Sequence, residues 1–110
     1  MKTITFEFFG CPYKLHLMPL SYDKGSYFEC GSEQIWLRMN KQWFQSMLHE
    51  LHEVAFTEAF HRYYCNSGSK DYMFMCNHSE LAKMDYEVAG ALRQILPKLP
   101  VKYLRELGLK

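Results

Sequence analysis

Polar and apolar positions alternate from Thr3 to Phe9, with Ile4, Phe6 and Phe8 on one face and Thr3, Thr5, Glu7 and Phe9 on the other. That period of two is the mark of a half-buried strand. Gly10-Cys11-Pro12 interrupts the run, and Tyr13 to Met18 resumes it with Tyr13, Leu15 and Leu17 on one side. The two runs read as a hairpin closed by a short Gly/Pro turn. Pro19 ends the second run, and the segment from Ser21 to Ser26 is rich in turn formers. Tyr27 to Cys30 reads as a short strand. After Gly31-Ser32, the segment Glu33 to Met39 places Ile35, Leu37 and Met39 inward. The N-terminal third is therefore expected to be a small antiparallel sheet of three or four strands.

Near Asn40 the apolar period changes from two to about three and a half. Asn40 is expected to cap a helix over 41–64, a stretch without Gly or Pro, with Phe44, Leu48, Leu51, Ala55 and Ala59 as its core stripe. Asn66-Ser67-Gly68-Ser69 stops it. A second helix is expected to open at His78 or Ser79, with Ser79 as N-cap and Glu80 in the first turn, where a carboxylate suits the helix dipole. Leu81, Met84, Val88, Leu92 and Ile95 form its stripe, Pro97 and Pro100 close it, and Val101 to Leu107 reads as a last short helix. The expectation is an α+β fold over 1–110, a single domain with a small antiparallel sheet packed on a pair of helices. Leu48, Leu51, Ala55, Leu81, Val88 and Leu92 should be buried together between the helices.

Composition narrows the partners more than the fold. A 48% apolar and 16% aromatic content excludes a disordered chain. A formal charge of +1 with scattered basic residues gives no electrostatic case for nucleic acid. No apolar run approaches membrane-spanning length, and the N-terminus lacks the apolar core of a signal peptide. Cys11, Cys30, Cys65 and Cys76 are even in number, compatible with two disulfides, but no pair has C-x-x-C spacing. The reading is a cytoplasmic protein whose thiols act as small apolar residues.

The candidate chemistry lies in one stretch, Trp43 to Phe56, where His49, Glu50, His52 and Glu53 fall within five positions of an apolar helical pattern. His49 and Glu53 are one turn apart on one helix face, with Glu50 beside them. This is H-E-x-x-H with Glu53 in place of the second His. Zinc takes imidazole nitrogen and carboxylate oxygen, and Glu50 is placed as general base. A third ligand must come from elsewhere. His78 is first choice, because a helix hairpin returns it over the first helix. Asp85 is second, and Glu80 and Glu87 are weaker. His49 with His52, three apart, is a competing pair, and an exposed helix-supporting interaction is the reading without metal. His16 and His61 read as surface or strand residues.

The motif Met47-Leu48-His49-Glu50-Leu51-His52-Glu53, the turn and strand from Tyr27 to Leu37, the segment Asn77-His78-Ser79-Glu80-Leu81 and the closing Ala91 to Leu96 together resemble small zincin-like proteins of phage and prophage origin. These are minimal relatives of the H-E-x-x-H metallopeptidases. The resemblance spans roughly residues 27 to 96, and its specific part is the seven-residue helix motif. It implies a minimal zincin-like fold, zinc held by His49, Glu53 and His78, Glu50 as catalytic base, and a peptide or protein substrate. The chain departs from the pattern at His52, and in a stretch from His78 to Leu92 about one turn longer than expected. Fold likeness does not carry a reaction. Two other functions therefore stand beside it: a vestigial site, and a non-enzymatic phage-type binding module or inhibitor. Such a module would make contact through Trp36, Trp43, Tyr63, Tyr64, Tyr72 and Phe74, which otherwise belong to the core.

Overall fold

The computed structural model describes residues 2–29, 31–59, 62–64 and 72–110. Strands β1 (Thr3–Phe8) and β2 (Cys11–Met18) form the expected hairpin, antiparallel with Phe8 opposite Cys11. Its two turn residues, Phe9 and Gly10, have φ of 52° and 73°. Positive φ at both centres matches the twist of the flanking strands in a two-residue turn. Phe9, which has a Cβ to accommodate, donates its N–H to Glu87 Oε2 at 3.1 Å.

Strands β3 (Tyr27–Glu29) and β4 (Gln34–Arg38) are antiparallel to each other, but β4 runs parallel to β2, and the sheet order is β1-β2-β4-β3. The sheet is thus mixed, not antiparallel as expected, within the expected α+β class. The residues after Pro19 carry the chain past β2, so that β3 takes the outer edge and β4 returns between them. This order sets Ile35 beside Leu15 and Leu37 beside Leu17, making one continuous apolar face. Ile4, Phe6, Phe8, Tyr13, Leu15, Leu17, Ile35, Leu37 and Met39 are buried on it.

Helix α1 (Trp43–Glu58) starts later and ends earlier than its periodicity indicated. Its N-cap is Gln42, without a side-chain cap bond, and not Asn40 as expected; Asn40 holds the turn before it, with Oδ1 accepting from Gln42 N–H at 2.9 Å and its carbonyl from Trp43 N–H at 3.1 Å. Beyond the helix, β5 (Arg62–Tyr64) pairs antiparallel with β6 (Tyr72–Phe74). Both segments are rich in aromatic strand formers, and cross-strand pairing overrides the helical pattern. The buried face of α1 is Trp43, Met47, Glu50, Leu51, Val54 and Ala55. It is rotated about one position from the expected stripe, leaving Phe44 and Leu48 half-buried.

Helix α2 (His78–Ile95) is capped by Asn77, not Ser79: Glu80 N–H donates to Asn77 Oδ1 and Asn77 N–H to Glu80 Oε1, both at 2.9 Å. These reciprocal bonds satisfy two otherwise unpaired amides. Met84, Val88, Ala91 and Ile95 are buried. Of the six residues expected to be buried together, Leu51, Ala55 and Val88 are buried, and Leu48 and Leu92 are half-buried. Leu81 is 40% exposed, because it stands in the first turn of α2, beyond the reach of the sheet. A 3-10 turn over Leu96–Lys98 leads to α3 (Val101–Glu106), whose Tyr103 meets Trp43 edge-on at 5.3 Å. Trp43 is a core residue, and its indole N–H donates to Glu106 Oε2 at 2.7 Å. No helix among the described residues is long and apolar enough to cross a membrane.

The outer edge of β1 is closed by α2 and the 3-10 turn that follows it. Glu7 N–H donates to Gln94 Oε1 at 2.7 Å, Gln94 Nε2 donates to Glu7 O at 3.0 Å, and Lys98 Nζ donates to Thr5 O at 2.9 Å. The opposite edge, β3, faces α1.

Candidate metal centre

His49, Glu50 and Glu53 each place a ligating atom within 4.8 Å of the others, the one group of three such residues among those described. All three come from one turn of α1, and their burial differs sharply. Glu50 is only 5% exposed and points at β3, whereas the His49 side chain is 64% exposed and that of Glu53 23%. The difference follows from helix geometry: successive residues are 100° apart, so His49 falls at the rim of the face that buries Glu50.

The Glu50 carboxyl is incompletely partnered. Phe28 of β3 gives it a main-chain hydrogen bond, while Oε2 is buried without any hydrogen bond. Burial raises its pKa to about 7, with the Glu53 carboxylate adding to the rise and the Phe28 amide opposing it. His49 Nε2 lies 3.6 Å from Glu53 Oε2. Two ligands of a tetrahedral zinc ion, bound at about 2.0–2.2 Å, would be roughly 3.4 Å apart. The spacing and the imidazole-carboxylate donor set fit two ligands of a divalent cation, and among the described residues no His, Cys, Asp or Glu joins them except Glu50.

Beside the group is a cleft of about 320 Å³ lined by Ser26, Gln42, Gln45, Ser46, His49 and Glu50. None of these is Lys or Arg. Gln45 and Ser46 lie four residues before His49 and Glu50, so helical spacing alone would have placed them there. Ser26 and the Phe28 amide belong to another element, and no spacing signal could have found them.

The structure separates the other candidates from the centre. His78, the expected third ligand, is an exposed residue at the start of α2 and is not part of the group. The chain does bring α2 back against α1, but its first turn lies at the wrong end. Asn77, Glu80 and Leu81 share a cavity with Phe56, seven residues past His49 and about 10 Å further along the helix. His52 is exposed and donates Nδ1–H to Leu48 O at 2.7 Å, folding onto its own helix. Glu53, and not His52, is therefore the residue paired with His49. Asp85 is exposed on α2, Glu80 serves the cap of that helix, and Glu87 holds the Phe9 amide.

His16 lies on the outer face of the sheet, with Nδ1 2.9 Å from Thr3 Oγ1 and Nε2 2.7 Å from Gln34 Oε1. Trp36 is half-buried there, stacked on Tyr27 at 4.9 Å. Cys11 and Cys76 carry free thiols. Cys30, His61, Cys65 and the side chains of Tyr63, Tyr64 and Tyr72 lie outside the described residues. Comparisons with protein-family models, with curated proteins and with solved structures each returned no match.

Proposed function

We propose that the protein is a zinc-dependent hydrolase of peptide bonds, akin to the zincin-like proteins of phage and prophage. The observation that carries this reading is the buried, unpaired Glu50 oxygen beside His49 and Glu53 in an open cleft. His49 and Glu53 would hold the ion. When bound, it supplies Lewis acidity and lowers the pKa of water towards neutrality. Glu50 holds or releases a proton near neutral pH, the range in which a general base works best. Burial on the inner face of α1 shields its carboxyl from bulk water. An extended polypeptide would lie along β3 as an added strand, since the β1 edge is closed by Gln94 and Lys98.

The test is metal content and proteolysis of protein purified without chelator. Wild type and Glu50→Gln should each carry about one zinc per chain, and only wild type should cleave fluorescein-labelled casein. His49→Ala should lose the metal, and His78→Ala should keep it. Metal-free wild type, or cleavage by Glu50→Gln, would sink the reading.

A second reading is a protein-binding module. It draws on the cavity of about 750 Å³ where Phe56 meets Phe74, Met75 and Leu81. There Phe74 is 39% and Met75 55% exposed. A biological effect that survives Glu50→Gln would favour it.

A further inference from the structure

The sheet edge and the buried carboxyl meet at one main-chain group. β3 has three residues and is paired on its inner side with β4, Phe28 opposite Ile35. In an antiparallel ladder the main-chain groups of successive residues point alternately towards the partner strand and away from it. The Phe28 amide bonds to Glu50, so it points away from β4, out of the sheet edge. A polypeptide adding to this edge needs the outward-pointing donors of the strand, and Phe28 is the central residue of the three. Glu50 already holds that donor.

The β1 edge shows the contrast. There the main chain is bonded by Gln94 and Lys98, neither of which belongs to the cluster on α1. At β3 the same capping duty falls to the residue best placed as the base. Glu50 is poorly satisfied in this position, since Oε2 has no hydrogen bond and the side chain borders the cleft. A buried carboxyl with one oxygen unpaired is readily drawn to a better partner.

We propose that an incoming strand competes with Glu50 for the Phe28 N–H, so that docking of the substrate unties the base, which already borders the cleft beside His49 and Glu53. The device rests on the hydrolase reading above. A substrate carbonyl takes the amide, and both oxygens of the carboxyl are then free for the cluster. Strand pairing and release of the base are then a single event, and a chain that fails to pair with β3 leaves the base tied to the sheet.

The test separates binding from chemistry by using metal-free protein and fluorescein-labelled casein, with affinity read by anisotropy. Its outcome does not depend on whether wild type takes up zinc or cleaves. Glu50→Gln keeps an oxygen that can accept from Phe28, whereas Glu50→Ala and Glu50→Leu do not. The Leu variant fills the side-chain volume should the Ala variant fold poorly. Removing the competitor should tighten casein binding about tenfold relative to Glu50→Gln. In nitrogen-15 spectra, casein should move the Phe28 amide resonance. Equal affinities, absence of binding in every variant, or an unmoved Phe28 resonance would overturn the proposal. Loss of zinc uptake by wild type would instead overturn the hydrolase reading.

Discussion

Glu50 shows how one residue can be apolar by position and acidic by chemistry. It occupies a core position of α1 between Met47 and Leu51, yet it is the one polar side chain buried among the described residues. Its pKa of about 7 when folded exceeds the ordinary carboxylate value of 4.5. Between those values the folded chain binds more protons than the unfolded chain, so stability falls as pH rises from about 4.5 to about 7 and then levels. The loss should be on the order of 1–3 kcal/mol. Urea unfolding in the presence of chelator measures it. Glu50→Gln should remove this part of the slope and be more stable than wild type at pH 8. If the two curves are parallel throughout, Glu50 is not protonated in the folded chain.

At the scale of the element, α1 presents a core face and a polar face side by side. Leu51, Val54 and Ala55 pack into the core while His49 and Glu53 face outward, so the site is as rigid as that packing makes it. Leu51 is fully buried, and Leu51→Ala should cost about 2–5 kcal/mol in chemical denaturation. Leu81→Ala, at an exposed position of α2, should cost less than about 1 kcal/mol. Similar losses at both positions would mean that the two helices share a core face, as their apolar periodicity alone suggested. That periodicity was a partial guide because α1 has apolar residues nearly all round it. Two stripes were available, one through Phe44 and Leu48 and one through Trp43 and Met47. Trp43 decided between them by packing on Tyr103, which is sixty residues away.

For the whole molecule, the two sheet edges are treated differently. An unprotected edge pairs with other chains, and proteins commonly block it. At β1 the blocking groups are the Gln94 carboxamide and the Lys98 ammonium, with the Lys2 ammonium on the Lys98 carbonyl. Replacing both Gln94 and Lys98 by Ala should expose the β1 main chain and make the protein associate with rising concentration relative to wild type. Sedimentation velocity reads this directly. A double variant that sediments like wild type would show that α2 protects the edge by bulk alone.

Short-range order in the chain determined the strand faces of β1, β2 and β4, the switch to helix near Asn40, and the convergence of His49, Glu50 and Glu53. Each of these depends on residues within one turn or a few strand positions, and the periods of two and 3.6 encode such neighbours directly. The tertiary structure alone decided the parallel pairing of β2 with β4, the end of α1 at Glu58 and the distance of His78 from the centre. It also decided which member of the H-E-x-x-E motif is buried, and that a main-chain amide of β3 holds it. These features arise from contacts between segments far apart in the chain. Their free energy depends on which faces meet, and a local pattern of polar and apolar residues leaves several such meetings open.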